Sequence, residues 1–202
     1  MNVNIDHNKL KNYIGEERYL HSLRVEKVAK KLGEIKECDK DKVSIAAILH
    51  DCGKLKDKDL LLKMARDFDI IQDNVMKNNT ALIHSYLGVE LAKKFYGIID
   101  RDVLNAIKYH TTGRPGMTNL EKIIYVADYI EPSREFKEAN YARKMAFEDL
   151  DKALLYILNN TIKYLINKGL LIHKNTIATR NDLILKHGLK WSENDEEVFK
   201  DI

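Results

Sequence analysis

The chain repeats apolar residues at helical spacing and contains few residues that would interrupt a helix. Only two prolines and nine glycines occur in its 202 residues, which leaves few turn signals for β-hairpins. The sequence has no firm run with the alternating period of a strand, no internal repeat and no low-complexity segment. These features predict an all-α helical bundle.

Turn signals divide this bundle into helices of ordinary length. The predicted helices are a short one before Gly15, then about 17–33, a helix from Asp39 or Asp41 to near residue 50, 57–66, 81–96, a helix from Asp100 or Asp102 to near residue 110, 119–130, 148–168 and 176–187. Residues 72–80, 111–116 and 131–140 are predicted to be polar stretches, turns or loops. We expect one domain over 1–188 and a polar C-terminal tail over 189–202.

Charge and composition exclude several classes of protein. The 34 lysines and arginines nearly balance 31 aspartates and glutamates, for a net charge of +3, which argues against a general nucleic-acid coat but allows a local basic pocket. The polar residues 1–10 lack the apolar core of a signal peptide, and no apolar run is long enough to span a membrane. Cys38 and Cys52 suit free thiols in a reducing compartment. We expect a cytoplasmic protein with neither nucleic acid nor membrane as a partner.

Several predicted helices place a histidine or aspartate on their apolar face. His50 and Asp51 end one apolar helix, where burying both is costly unless something pairs with them. A lone core histidine is more often a hydrogen-bonded structural residue than a metal ligand. Here, however, four histidines and two carboxylates converge on one core, and few other polar side chains accompany them; the six residues are His21, His50, Asp51, His84, His110 and Asp128.

A pair of divalent metal ions would satisfy all six side chains. Imidazole and carboxylate without thiolate suit iron, manganese or zinc, and the lack of a cysteine set argues against a structural zinc site. The remaining histidines, His7, His173 and His187, are predicted to be structural or exposed, and Cys52 is predicted to be a packing residue.

Four segments carry a resemblance to a known family. They are 19–25 (YLHSLRV), 49–54 (LHDCGK), 110–114 (HTTGR) and 125–132 (YVADYIEP). The order His21, His50-Asp51, Asp128 resembles the H…HD…D signature of HD-domain metal-dependent phosphohydrolases. Together with His84 and His110, the four segments are similar to the YqeK-like branch, the bacterial symmetrical bis(5′-nucleosyl)-tetraphosphatases. The resemblance covers about residues 17–170.

This resemblance implies an HD-domain bundle with two divalent metals in its core, iron first and manganese or zinc as alternatives. Asp51 would bridge the metals, with His21, His50 and Asp128 completing one set of ligands and His84 and His110 the other. The implied reaction is that of an acid anhydride hydrolase. A hydroxide activated by the dinuclear centre would cut diadenosine tetraphosphate into two ADP, with Asp51 and Lys54 as catalytic residues.

Cations and backbone N–H groups near this site are candidate phosphate contacts, because phosphoanhydride cleavage develops negative charge. Lys54, three residues after Asp51, is the best placed. For residues 111–114 an anion-binding loop and an ordinary turn are equally supported, and Arg24 has a salt-bridged helix residue as its alternative. The candidates are Lys54, Thr111, Thr112, Gly113, Arg114, Arg134 and Arg24.

Other functions fit the same ligand set. One alternative is another HD-type nucleotide phosphohydrolase, for example one acting on guanosine polyphosphates. A second is a mixed-valent di-iron oxygenase, and a third is a degenerate HD domain that serves as a scaffold. The expected assembly is a monomer or a homodimer.

Overall fold

The computed structural model describes residues 5–70, 74–78 and 82–188, and it confirms the all-α prediction. Over these ranges no strand is present. The helices are α1 (His7–Ile14), α2 (Glu16–Ile35), α3 (Lys40–Leu49), α4 (Lys58–Asp67), α5 (Asn74–Asn78), α6 (Ile83–Tyr96), α7 (Arg101–Tyr109), α8 (Asn119–Ile130), α9 (Lys137–Glu148), α10 (Leu150–Asn167) and α11 (Lys174–His187). The predicted tail, 189–202, lies outside the described residues.

Side-chain caps explain where the central helices begin. Asp39 and Asp100, rather than Asp41 and Asp102, accept hydrogen bonds from the first-turn N–H groups of α3 and α7. Thr118 begins α8 with a reciprocal pair of bonds to Glu121. Gly97 ends α6 in the left-handed conformation that glycine adopts without strain.

Three parts of the secondary-structure prediction differ from the structure. The loop predicted over 131–140 ends early, because α9 begins at Lys137 and continues to Glu148. Its buried residues are mostly alanines, so its apolar stripe is weak in the sequence. The long helix predicted to begin at 148 begins at Leu150, where Asp149 caps it. The polar stretch 72–80 contains the short helix α5.

Helix α8 lies at the centre of the bundle. It packs against α2, α3, α7, α9 and α10, and residues 120–127 are all buried. Helix α3 packs in turn on α2 and α7, and α6 packs on α7. This arrangement brings α2, α3, α6, α7 and α8 around one region of the core. None of the helices in the described ranges combines the length and apolarity needed to span a bilayer.

Candidate metal centre

The six side chains predicted to share a metal partner come together where these helices meet. His21 lies on α2, His50 and Asp51 at the end of α3, His84 on α6, His110 at the end of α7 and Asp128 on α8. His50 and Asp51 are fully buried, and His84 and His110 are at most 4% exposed. Their ligand atoms form three overlapping groups, each within 4.8 Å.

The Asp51 carboxylate lies between two pairs of histidines. Its Oδ2 is 3.6 Å from His50 Nε2 and 4.0 Å from His21 Nε2. Its Oδ1 is 3.4 Å from the Nε2 atoms of both His84 and His110. Each carboxylate oxygen therefore faces a different pair of imidazoles.

Asp128 makes the two halves of the cluster unequal. Its Oδ1 lies 3.0 Å from His21 Nε2 and 4.0 Å from His50 Nε2. On the other side of Asp51, the Nε2 atoms of His84 and His110 are 3.0 Å apart. One half thus offers two histidines and an additional carboxylate, and the other offers two histidines.

Helix ends fix the orientation of His50 and His110. Each histidine follows the last residue of its helix, and its Nδ1–H donates to the carbonyl three residues earlier, Ala47 O and Ile107 O, at 2.7 Å in both cases. Such carbonyls have no partner within the helix and accept a donor readily. Because Nδ1 carries the proton, Nε2 presents a lone pair to the cluster. His50 Nε2 is buried without a hydrogen-bond partner in the described part of the chain.

Glu131 orients the third histidine, and sequence reasoning gave it no role. Its Oε1 lies 3.2 Å from His21 Nδ1, its Oε2 accepts from Arg24 Nε at 2.8 Å, and Ser133 donates to it through N–H and O–H. Burial alone would raise the pKa of Glu131, but these bonds outweigh burial and lower it to about 2. The glutamate is therefore a permanent acceptor behind His21. Its position three residues after Asp128 was the available signal.

Burial and charge set the protonation states that metal binding requires. Burial lowers the pKa of His50 to about 4, so its imidazole is neutral at physiological pH. Burial also tends to raise the pKa of Asp51, but His50, His110 and Lys54 together hold it well below its usual range. Neutral imidazole and ionised carboxylate are the forms that bind metal ions.

The spacing of the cluster fits shared ligation. Ligand atoms about 2.1 Å from one ion, at tetrahedral or octahedral angles, lie about 3.0–3.4 Å apart. The distances His21 Nε2–Asp128 Oδ1, His84 Nε2–His110 Nε2 and His84 Nε2–Asp51 Oδ1 are 3.0, 3.0 and 3.4 Å. Together with the unpartnered His50 Nε2, this spacing makes the cluster compatible with a divalent metal site.

Gly53 allows α6 to approach the His50-Asp51 turn. A Cβ at Gly53 would lie 2.1 Å from the carbonyl oxygen of His84 and 2.6 Å from Gly88 N. The glycine thus allows close backbone contact between this turn and α6. Cys52 Sγ donates to Gly88 O at 3.3 Å beside it, in keeping with the predicted packing role.

Replacing Gly53 with alanine is expected to push α6 away and to lower metal content. Backbone atoms cannot move aside as a side chain can, so we expect the free energy of unfolding to fall by about 2 kcal/mol or more. Thermal unfolding and elemental analysis would measure both effects. Gly33→Ala is the control, because the atoms nearest to its new Cβ belong to the Val43 side chain rather than to backbone, the closest at 3.1 Å. Wild-type stability and metal content in Gly53→Ala would contradict this account.

Two predicted cations lie beside the cluster, together with one that was missed. Lys54 Nζ is 3.0 Å from the Asp51 carboxylate, and Arg134 Nη2 is 3.3 Å from Asp128 Oδ1. Arg18 Nη1 lies 3.4 Å from Asp51 Oδ2, and its position three residues before His21 on α2 was the signal. Arg24 binds Glu131, as its salt-bridge alternative predicted.

The contacts of residues 111–114 favour a structural turn over an anion-binding loop. Gly113 N–H donates to Tyr109 O at 2.8 Å, and a Cβ on Gly113 would lie 2.6 Å from Thr179 Oγ1. The hydroxyls of Thr112 and Thr111 donate to Gly113 O and Ser85 Oγ. Arg114 makes two bonds to the buried Glu121, at 2.7 and 2.9 Å. These groups therefore all have partners within the protein, and their role as phosphate contacts stays a prediction.

Two of the remaining histidines, His173 and His7, have recognisable positions, and the side chain of His187 lies outside the described part of the chain. His173 is buried and caps α11 by accepting from Asn175 N at 3.2 Å, which agrees with a structural role. His7 is exposed beside Tyr19, with 3.2 Å between its Nδ1 and the tyrosine oxygen. Neither belongs to the metal-competent groups.

Comparisons with known proteins identify the family of the chain. The HD domain family model matches residues 18–133. Two proteins named "Bis(5′-nucleosyl)-tetraphosphatase, symmetrical" are similar to the chain: one from Halalkalibacterium halodurans, 39% identical over 88% of this chain and 94% of the relative, and one from Bacillus subtilis, 40% identical over 87% and 94%.

A solved structure is also similar in fold and sequence. It is described as a predicted HD superfamily hydrolase involved in NAD metabolism from Clostridium acetobutylicum, and it aligns with a TM-score of 0.84 at 48% identity over 89% of this chain and 95% of that one. The chain therefore belongs to the HD domain family, within the group of hydrolases named symmetrical bis(5′-nucleosyl)-tetraphosphatases, as its motifs predicted.

Proposed function

We propose that this protein is a metal-dependent hydrolase that cleaves diadenosine tetraphosphate symmetrically into two ADP. The observation that carries the proposal is the Asp51 carboxylate, whose two oxygens face different histidine pairs at 3.4–4.0 Å. The names of relatives about 40% identical support the substrate and the symmetrical cleavage.

The proposed centre would hold two divalent ions, with Asp51 as a ligand available to both. His21, His50 and Asp128 would complete the ligands of one ion, and His84 and His110 those of the other. The donor atoms are imidazole nitrogens and carboxylate oxygens, a set that suits iron, with manganese or zinc as alternatives. When bound, such ions lower the pKa of a water molecule and polarise a phosphate oxygen.

The chain's own residues prepare the site for a polyphosphate. Three cations, Arg18, Lys54 and Arg134, lie at the cluster with side chains 30–42% exposed, so their charged ends can reach a bound anion. We assign them to phosphate neutralisation, which matters most where charge develops on the leaving group. Glu131 holds His21 in place, and the backbone carbonyls behind His50 and His110 keep a proton on Nδ1 of each.

Product analysis tests the proposal directly. Protein purified without oxygen and supplied with diadenosine tetraphosphate should release two ADP and consume no oxygen. ATP plus AMP would contradict symmetrical cleavage. Oxygen uptake with a phosphonate substrate would favour the oxygenase alternative, and hydrolysis of guanosine polyphosphates in preference to the dinucleotide would favour a different phosphohydrolase.

The setting of the reaction is part of the proposal. We infer a cytoplasmic enzyme that acts on a free nucleotide, without nucleic acid or membrane as a partner. The absence of a bond between Cys38 and Cys52 is in keeping with a reducing compartment. Analytical ultracentrifugation would decide between a monomer and the homodimer that the sequence allows.

A further inference from the structure

A cavity of about 690 Å³ lies between the end of α8, the start of α9 and the second half of α10. Its volume falls within the range of about 300–1,000 Å³ that is typical of small-molecule sites. Three aromatic side chains, Tyr129, Phe136 and Tyr164, line it together with the polar side chains of Glu138, Asn160 and Asn167.

One residue that lines this cavity neighbours a residue of the candidate metal centre in the chain. Tyr129 directly follows Asp128 on α8, which places their Cα atoms about 3.8 Å apart. Arg134 bridges the two regions: its Nη2 is 3.3 Å from Asp128 Oδ1, and Phe136 follows two residues later.

Two of the aromatic rings contact each other, and two expose ring surface at the cavity. Tyr129 and Phe136 pack edge to face, with centroids 5.2 Å apart and planes at 90°. Phe136 is 43% exposed and Tyr164 is 57% exposed, so apolar ring surface faces the solvent around the cavity. Exposed rings beside a charged groove are typical of sites that stack nucleobases.

The polar groups of the cavity suit the edge of a base. Asn160 Nδ2 donates to Tyr156 O at 3.1 Å, a bond that fixes the amide without using its Oδ1 acceptor. Glu138 supplies a carboxylate acceptor, and Asn167 supplies an amide. Flat rings with a few placed donors and acceptors are what a pocket for a nucleobase requires.

We propose that this cavity binds the base and ribose of one arm of a dinucleoside polyphosphate, with Arg134 between that arm and the metal centre. The assignment rests on the proposed function for the identity of the natural ligand. The proposal predicts that the cavity binds a nucleoside diphosphate more tightly than a diphosphate without a base. This preference can be measured without hydrolysis.

The test is calorimetric binding of ADP and of inorganic diphosphate to the manganese-loaded full chain. Tyr164→Ala is expected to weaken ADP binding by about tenfold or more, the loss of one stacking contact, and to leave diphosphate binding unchanged. Tyr164→Phe keeps the ring and should bind ADP as the wild type does. The matched control is Phe147→Ala, which removes a ring 37% exposed on α9 that does not line the cavity.

Phe136→Leu is the second variant, because it removes a ring but keeps an apolar side chain at the start of α9. It should weaken ADP binding in the same selective way. Equal affinity of the wild type for ADP and diphosphate, or wild-type ADP affinity in both ring variants, would overturn the subsite. The subsite would also be overturned if the protein is a dimer that Tyr164→Ala dissociates while ADP affinity stays unchanged. That result would assign the rings to an interface between copies.

Kinetics separate this proposal from the proposed function. If the wild type makes two ADP and Tyr164→Ala raises the KM for diadenosine tetraphosphate with kcat maintained, both stand. Symmetrical cleavage with no change in KM removes the subsite alone. If the wild type does not cleave the dinucleotide, the proposed function fails, and the binding comparison still decides whether the cavity selects nucleosides.

Discussion

Replacing Asp51 with asparagine is expected to abolish metal binding and to reduce hydrolysis by about 10³-fold or more, as loss of a central active-site group does in other enzymes. Asparagine has the same shape, but its neutral amide cannot offer two anionic oxygens to the histidine pairs on either side. The change should affect both halves of the cluster, because Oδ1 and Oδ2 face different pairs. Elemental analysis and the rate of ADP formation would measure it.

Asp67→Asn is the control for Asp51→Asn. Asp67 is the exposed last residue of α4, so the loss of its charge should leave metal content and rate unchanged. Two ions per chain and a wild-type rate in Asp51→Asn would disprove the central role of this carboxylate.

His84→Ala and His110→Ala are each expected to lose one metal ion per chain and most hydrolysis, with the fold largely retained. The Nε2 atom of each histidine lies 3.4 Å from Asp51 Oδ1, so both belong to the same half of the cluster. The other half keeps His21, His50 and Asp128, so one ion should remain. We expect the rate to fall by at least about 10²-fold, because each variant removes one group from a preorganised site.

His173→Ala is the matched control, since His173 is also a buried histidine but caps α11 away from the cluster. It should lower the free energy of unfolding by about 1 kcal/mol, the usual cost of a lost cap, and leave metal content unchanged. Two ions bound in both His84→Ala and His110→Ala would contradict the assignment of these ligands.

Helix bounds and the members of the cluster followed from local physics. Asp39, Asp100 and Thr118 sit before apolar periodic runs, and their capping bonds require only neighbouring residues. The cluster residues could be predicted because a helix presents every third or fourth residue to the core. Apolar periodicity did not reveal α9, because small side chains, Ala139, Ala142 and Ala146, form most of its buried face.

The missed helix has a direct consequence for the site. Arg143, on α9, donates to the backbone carbonyls of Ile130, Glu131 and Arg134 at 2.8, 3.1 and 3.0 Å. These bonds hold the segment that carries Glu131 behind His21 and Arg134 beside Asp128. No spacing rule connects residue 143 to this segment.

The sequence by itself determined the all-α class and the six residues of the cluster, because helical periodicity and capping act over a few residues. Only the tertiary structure decided that Asp51 divides its oxygens between two histidine pairs. It also decided that Arg18 faces the cluster and that Arg114 is engaged by Glu121. These outcomes depend on how separate helices pack, and the close approach of α6 to Gly53 is set by contacts between residues more than thirty positions apart.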